Sequence, residues 1–211
     1  MFFIYQIIIS LILILSPIIL IYRIFNNKED KRRFKEKISI PTKIRSNGRL
    51  IWFHGASVGE LMSIIPLLKK YEKEKSIHQI LVTTSTLSSS KVIKKFKFKK
   101  TIHQFYPIDH FIFVNKFLNY WRPSTAIFID SEIWPCMFKK INNKNIPLLL
   151  LNARLTKKSI NKWMKVKNFS KHIFNKISIA YPQNLETNLY LKKIGFNKIK
   201  NLGNLKFIEN H

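Results

Sequence analysis

Two segments of the chain carry carboxylates at positions suited to chemistry. His54–Glu60 reads His-Gly-Ala-Ser-Val-Gly-Glu, and Asp130–Pro135 reads Asp-Ser-Glu-Ile-Trp-Pro. Each segment follows an apolar run typical of a buried strand, so Glu60 and Glu132 would both lie where a strand ends. Carboxylates gathered at such a rim can accept a proton or stabilise a developing positive charge.

Both segments also have a structural interpretation. Ser57 followed three positions later by Glu60 is the pattern of a helix capping box, and taken alone this segment favours the cap over a catalytic role. In the second segment, Asp130 or Ser131 could cap a helix while Trp134 packs in the core. The glycine spacing of the first segment matches neither a G-x-G-x-x-G dinucleotide motif nor a P-loop.

Arg154 would add a permanent cation to the same rim. It lies in the segment Asn152–Leu155, directly after a run of leucines that predicts another strand. A guanidinium at that place suits a phosphate group of a ligand. The structural alternative for Arg154 is a surface ion pair.

The elements that must position these residues follow from hydrophobic patterning. Strands are predicted at Leu50–His54, Gln79–Thr84, Ile102–Tyr106, Thr125–Asp130, Leu148–Asn152 and Ser178–Tyr181. Helical patterns lie between several of them, including Leu61–Lys73 and Ser88–Phe98. This alternation predicts an α/β fold with a Rossmann-like parallel sheet and helices on both faces. Functional residues are then expected at the carboxyl ends of the strands.

The N-terminus predicts a membrane anchor. Residues 1–22 contain no charged side chain and are long enough to span the roughly 30 Å hydrocarbon core of a bilayer. The basic residues of the connector, residues 23–47, follow the apolar run, which places the globular part, residues 48–211, on the cytoplasmic side of a single-pass helix. A cleaved signal peptide and a buried core helix are the weaker alternatives.

The composition limits the possible partners and cofactors. A net charge of +27 favours anionic partners, but the lysines are spread through every segment after residue 22, and no nucleic-acid-binding motif accompanies them. We therefore expect no nucleic-acid partner. The single cysteine excludes an internal disulfide, and the six histidines show no paired spacing for a metal site.

A combination of ordered blocks identifies a family. The chain carries, in order, Trp52–Glu60, Leu81–Thr86, Tyr106–Asp109, Ser131–Pro135, Ile146–Pro147, Asn152–Leu155 and Gly203–Phe207. Each block resembles one in the bacterial lipid A 3-deoxy-D-manno-octulosonic acid (Kdo) transferases, and the spacing is compatible throughout. Seven ordered blocks are specific where a single one would not be.

The resemblance implies a two-domain GT-B fold and an activity. Members of the family transfer Kdo from CMP-Kdo to the lipid A precursor (lipid IVA) at the inner membrane, with inversion and without a metal or other cofactor. Carried over, Glu60 would be the proton acceptor, and Glu132 and Lys206 would stabilise the transition state. Ser57, Gly59 and Arg154 would contact the acceptor.

The sequence departs from the family pattern at three places. Asp130 stands where the family typically has Glu, and Ser88–Ser90 replaces a usual Thr-Gly turn. The chain also corresponds to the N-terminal, acceptor-binding half of the family's length, so the CMP-binding residues are not expected within it. Two alternatives stay open: a separate polypeptide supplies the donor domain, or the chain is an inactive membrane-anchored remnant that at most binds anionic lipid.

Overall fold

A parallel sheet of six strands organises the part of the chain that the computed structural model describes, residues 1–201. In chain order the elements are α1 (Phe2–Phe25), a 3-10 helix (Phe34–Ile38), β1 (Leu50–His54), α2 (Val58–Lys73), β2 (Gln79–Thr84), α3 (Leu87–Ile93), β3 (Thr101–Phe105), α4 (Phe111–Trp121), β4 (Thr125–Ile129), α5 (Pro135–Asn143), β5 (Leu148–Ala153), α6 (Lys157–Met164), α7 (Lys167–Phe174), β6 (Ile179–Pro182) and α8 (Leu185–Ile194). The predicted α/β class is confirmed, and every predicted strand is present to within one residue at either end.

The strand order is β3-β2-β1-β4-β5-β6, with every neighbouring pair parallel. This is the doubly wound order, in which the chain moves outward in one direction from β1 and then returns to start again at β4. The crevice at the carboxyl ends of the two central strands is the place where such folds bind ligands. Both carboxylate segments follow these two strands.

Alternation along the strands builds two cores, one on each face of the sheet. In β1, Ile51 and Phe53 point to the core covered by α2 and α3, whereas Leu50 and Trp52 point to the core covered by α4, α5, α7 and α8. The strands are buried on both sides, which explains why they read as continuous apolar runs.

Helix α3 ends at Ile93, earlier than the predicted Phe98. Phe96 and Phe98 both pack against the core beneath α2 and stack on each other with centroids 5.7 Å apart. Two residues spaced by two positions face opposite sides of a helix but the same side of an extended chain. Packing of both rings therefore requires the chain to leave the helix before Phe96.

Helix α1 is long and apolar enough to cross a membrane, and within the described residues it also contacts the domain. The Tyr5 hydroxyl donates to Asp109 Oδ2 at 2.6 Å, and Ser10 Oγ lies 3.3 Å from His110 Nε2. Most of the remaining side chains of α1 are exposed isoleucines, leucines and phenylalanines. The helix thus presents a narrow polar stripe to the domain and a broad apolar face outward.

The connector after α1 is docked on the edge of the sheet. Glu36 is fully buried, accepts from Arg33 Nε at 2.8 Å and accepts the backbone N–H of Phe105 at 2.7 Å. Arg33 also donates to the carbonyl of His103 at 3.0 Å. These bonds cover the outer edge of β3, so this segment carries structural ion pairs as well as basic charge.

Candidate active site

The first carboxylate is held at the N-terminus of α2. Ser57 caps the helix, with its Oγ accepting the backbone N–H of Glu60 at 3.2 Å. The Glu60 side chain folds back, accepting the N–H of Ala56 at 2.7 Å through Oε2 and the Ser57 hydroxyl at 2.9 Å through Oε1. The predicted cap is present, although Glu60 receives the backbone donor of Ala56 where a capping box would use that of Ser57.

Gly55 makes room for this arrangement. A Cβ atom at position 55 would lie 3.1 Å from the Cβ of Glu60 and 3.5 Å from its Oε2. The close approach of the Glu60 side chain to the strand end therefore explains the glycine, because any larger residue at position 55 would contact Glu60.

The second segment does not cap a helix as the structural alternative expected. The N-cap residue of α5 is Trp134, which makes no side-chain capping bond. The N-terminal amides of α5 are satisfied by Asp109, whose Oδ2 accepts from Cys136 N at 2.9 Å and whose Oδ1 accepts from Met137 N at 2.8 Å. Asp130 and Ser131 are thereby left at the end of β4, facing the crevice.

Glu132 is brought to the end of β1 by two donors. Its Oε2 lies 3.2 Å from His54 Nε2 and accepts from Trp134 Nε1 at 2.9 Å. His54 belongs to the first carboxylate segment and Glu132 to the second, so this contact joins the two. No role of His54 was predicted from the sequence.

A cleft of about 210 Å³ lies at the switch point between β1 and β4. Its walls hold four of the six predicted site residues, Ser57, Gly59, Glu60 and Arg154, together with Ser63, Asp130, Ser131 and Asn152. Glu132 lies beside this cleft, close enough to act electrostatically on Glu60. Lys206 lies outside the described residues.

Burial raises the pKa of the Glu60 carboxyl above its ordinary value, and the nearby carboxylates of Glu132 and Asp130 raise it further. The bonds from Ser57 and Ala56 act in the opposite direction. The net shift is upward because a partly dry cleft penalises the charged form more than these two donors stabilise it. A carboxyl group with a raised pKa is a stronger base once it is ionised.

Two further residues of the cleft share an uncommon backbone conformation. Asp130 has φ of 60° and Asn152 has φ of 51°, at the ends of the paired strands β4 and β5. Positive φ is uncommon outside glycine, although Asp and Asn tolerate it best. Asn152 is buried, and its Oδ1 accepts no hydrogen bond in the structure of residues 1–201. Such backbone outliers cluster at functional sites.

Metal ligation is not indicated by the described part of the chain. Within residues 1–201 no group of three or more His, Cys, Asp or Glu side chains converges as a metal site would require. The carboxylates of the cleft are instead held by backbone, hydroxyl, imidazole and indole donors.

The doubly wound sheet with a polar cleft at its switch point defines a Rossmann-like domain of the GT-B type. Solved structures agree: a UDP-N-acetylglucosamine 2-epimerase from Rickettsia bellii superposes with a TM-score of 0.54 at 12% identity, covering 76% of this chain and 46% of that one. The Neisseria meningitidis enzyme bound to UDP-GlcNAc gives 0.52, also at 12% identity, covering 75% and 47%. At this identity the likeness supports the fold alone.

Sequence comparison then defines the family. The 3-deoxy-D-manno-octulosonic-acid transferase (kdotransferase) family matches residues 32–209. The transferase of Rickettsia bellii is 38% identical over 190 residues, 90% of this chain and 45% of the relative. That of Haemophilus influenzae is 27% identical over 159 residues, 74% and 37%. The chain belongs to the Kdo transferase family, as its motifs predicted, and spans about half the length of the curated relatives it matches, or less.

Proposed function

We propose that the chain forms the acceptor-binding part of a glycosyltransferase that moves Kdo from CMP-Kdo to lipid IVA, with Glu60 as the base. The observation that carries this proposal is the position of Glu60. Its carboxylate is fixed at a helix N-terminus, half-buried, and faces a polar cleft at the switch point of the sheet. Membership of the Kdo transferase family supports CMP-Kdo as the donor and lipid IVA as the acceptor.

The proposed reaction is a single displacement. Glu60 takes the proton of an acceptor hydroxyl while the hydroxyl oxygen bonds to the anomeric carbon of Kdo, and the bond from that carbon to the CMP phosphate breaks with inversion. A sugar hydroxyl is a poor nucleophile, so a positioned base contributes roughly a hundredfold or more. The raised pKa of Glu60 suits it to this proton transfer.

Other charges of the site have complementary roles in this proposal. Glu132 stabilises the oxocarbenium-like sugar, and Lys206 stabilises the departing phosphate. Arg154, exposed at the rim of the cleft, binds a phosphate of the acceptor, while Ser57 and Gly59 form the wall next to its sugar. Because these side chains supply the necessary charges, the proposal includes no metal and no cofactor.

The test is a transfer assay with CMP-Kdo and lipid IVA in mixed micelles, with the donor-binding half of the Rickettsia bellii relative supplied as a second polypeptide. We expect Kdo transfer by the wild-type chain and a loss of at least about a hundredfold in Glu60→Gln. Glu74→Gln, which changes an exposed carboxylate at the other end of α2, is the matched control and should retain the rate. A rate for Glu60→Gln equal to the control would remove Glu60 from the role of base.

The second candidate function is that of a lipid-binding protein without catalytic activity, and it predicts a different result in the same assay. No Kdo transfer would occur with the donor half present, although the chain would still sediment with vesicles of anionic phospholipid. The many lysines on the surface support this alternative.

We further propose that α1 holds the domain at the cytoplasmic face of the inner membrane. A single-pass arrangement is supported by the length of the uncharged run and by the basic residues after it. The contacts of Tyr5 and Ser10 with the domain favour instead a helix that lies in the membrane interface, since a crossing helix would separate these residues from Asp109 and His110.

Labelling distinguishes the two arrangements. Phe3 is 76% exposed, so Phe3→Cys in a Cys136→Ser background offers one accessible thiol near the N-terminus. A membrane-impermeant maleimide added to intact cells should modify this thiol only if α1 crosses the membrane. Modification that requires permeabilised cells would indicate the interfacial arrangement.

A further inference from the structure

His54 is buried and enclosed by aromatic rings. Its imidazole has no exposed surface, stacks on Tyr106 with centroids 3.8 Å apart, and meets the edge of Phe128 at 5.0 Å. Trp134 closes a third side at 6.2 Å. A ring packed in this way has one orientation, and each of its two nitrogens therefore has a fixed partner.

A chain of donors leads to this ring from the neighbouring strand. The Trp52 indole N–H donates to Thr83 Oγ1 at 2.8 Å, and Thr83 Oγ1 lies 3.0 Å from His54 Nδ1. Because an indole N–H can only donate, the Thr83 oxygen accepts that bond and keeps its own proton for another acceptor. The alternative acceptor for that proton is the carbonyl of Phe53 at 3.3 Å, and His54 Nδ1 also lies 3.2 Å from the Thr83 carbonyl, which can only accept. Nδ1 therefore accepts from the Thr83 hydroxyl in the neutral ring with its proton on Nε2, and donates to Thr83 in the imidazolium.

On the other side of the ring, His54 Nε2 faces Glu132 Oε2 at 3.2 Å. A neutral ring with its proton on Nδ1 would set a nitrogen lone pair against a carboxylate oxygen. The neutral Nε2–H form and the imidazolium form both avoid this repulsion, so Nε2 carries a proton in either case. His54 thus donates to Glu132 in every favourable protonation state.

The Glu132 carboxylate is consequently held by one of its two oxygens. Oε2 receives both the His54 donor and the Trp134 indole N–H at 2.9 Å, whereas Oε1 has no hydrogen-bond donor within residues 1–201. The Glu132 side chain is 16% exposed, which leaves it a path to the crevice. Two donors on one oxygen fix the position of that oxygen and leave the other oxygen available to a ligand.

We propose that His54 is a positioning residue that orients Glu132 for the transfer reaction, with Thr83 fixing His54 in turn. This inference rests on the proposed function, since Glu132 stabilises the transition state only if its free oxygen is aimed at the sugar. A small misplacement of such a group costs up to about a hundredfold in rate. Loss of the His54 donor should therefore lower kcat much more than it changes the affinity for CMP-Kdo.

The first experiment needs only the chain itself. In 15N-histidine-labelled protein, two-bond 15N–1H spectra report which ring nitrogen is protonated, and the signal absent from His54→Phe assigns the residue. We expect a protonated Nε2 whose proton exchanges slowly and shifts in Glu132→Gln. A spectrum with a protonated Nδ1 and an unprotonated Nε2 would overturn the proposal. A His54 signal that is unchanged in Glu132→Gln would also overturn it.

The second experiment uses the transfer assay. His54→Phe keeps the ring volume without a donor and should lower kcat roughly ten- to a hundredfold, with the KM for CMP-Kdo nearly unchanged. His54→Gln, which restores an N–H donor, should recover part of the rate, and Thr83→Val should cause a smaller loss. Thermal unfolding of each variant shows whether the fold persists.

The outcomes separate this inference from the function on which it rests. Wild-type kcat in His54→Phe, or equal losses in His54→Phe and His54→Gln, would overturn the positioning role while the function stands. Absence of transfer by the wild-type chain would overturn the function and with it the catalytic use of the pair. The spectra would then still decide whether His54 holds Glu132.

Discussion

At the scale of single residues, the capping and catalytic interpretations of Glu60 prove compatible. The bonds from Ala56 and Ser57 that complete the N-terminus of α2 also fix the position of the Glu60 carboxylate. A base must be held in place before its substrate arrives, and a helix cap does this with local backbone geometry. The same bonds therefore serve the helix and the proposed base.

The raised pKa of Glu60 predicts a pH-dependent difference in stability. Because the folded-state pKa lies above the unfolded value, the stabilising contribution of the protonated form is complete at low pH and is lost as the pH rises through the folded pKa. Glu60→Gln cannot ionise and avoids this loss. We expect its unfolding temperature relative to wild type to increase between about pH 4 and pH 7. Calorimetric scans in which the unfolding temperature of the variant, relative to wild type, decreases over this range would contradict a raised pKa of Glu60.

Two glycines of the same loop offer a matched comparison. Alanine at Gly55 would press on the Glu60 Cβ at 3.1 Å and displace the carboxylate, so we expect a large loss of Kdo transfer. Alanine at Gly59 meets nothing nearer than Ser57 Oγ at 4.0 Å. Gly59→Ala should stabilise α2 by up to about 1 kcal/mol while narrowing the acceptor cleft, which raises the KM for lipid IVA. Equal kcat values in the two variants would contradict the role of Gly55.

At the scale of elements, local patterning predicted the sheet well and its long-range contacts poorly. The strands are continuous apolar runs between turns, so their positions depend on a few neighbouring residues. The pairing of His54 with Glu132 and the capping of α5 by Asp109 join residues 78 and 27 positions apart. Such contacts depend on how the loops place the strands next to one another, which periodicity does not encode. Asn or Asp at the end of an apolar strand run, as at Asp130 and Asn152, was the available signal for positive φ.

Asp109 predicts a measurable dependence of α5 on a residue outside it. Asn at this position keeps one acceptor oxygen but turns an amide NH₂ toward an N–H of Cys136 or Met137. We expect Asp109→Asn to lower the free energy of unfolding by about 1–3 kcal/mol. Chemical denaturation in detergent measures this loss. Glu186→Gln, which alters an exposed bond to Tyr190, should change stability by less than about 0.5 kcal/mol, and an equal effect of both variants would contradict the cap.

At the scale of the whole molecule, the acidic residues are mostly engaged inside the fold. Of the eleven Asp and Glu residues, Glu209 lies outside the described part. Several of the others bind backbone amides or partly buried cations, as Glu29, Glu36, Glu72 and Asp109 do. Few acids remain on the surface to balance the lysines, which leaves the exterior strongly basic.

This charge distribution predicts stabilisation by salt. Net charge of +27 makes the folded chain repel itself, and raising the salt from about 0.01 M to about 0.1 M shortens the screening length from about 30 Å to about 10 Å. We expect the unfolding temperature to rise over this range, equally for sodium chloride and sodium acetate. A fall in both salts would mean that the ion pairs of the connector outweigh the repulsion.

The bond between Tyr5 and Asp109 has a consequence for biogenesis. Tyr5 leaves the ribosome before its partner Asp109, and the partner and the α5 amides that share it follow more than a hundred residues later. In the proposed membrane placement of α1, insertion of the helix at the lipid surface would precede folding of the domain, and the membrane would retain the chain until the domain is complete. Deletion of α1 to obtain a soluble protein would leave a buried carboxylate without its hydroxyl donor.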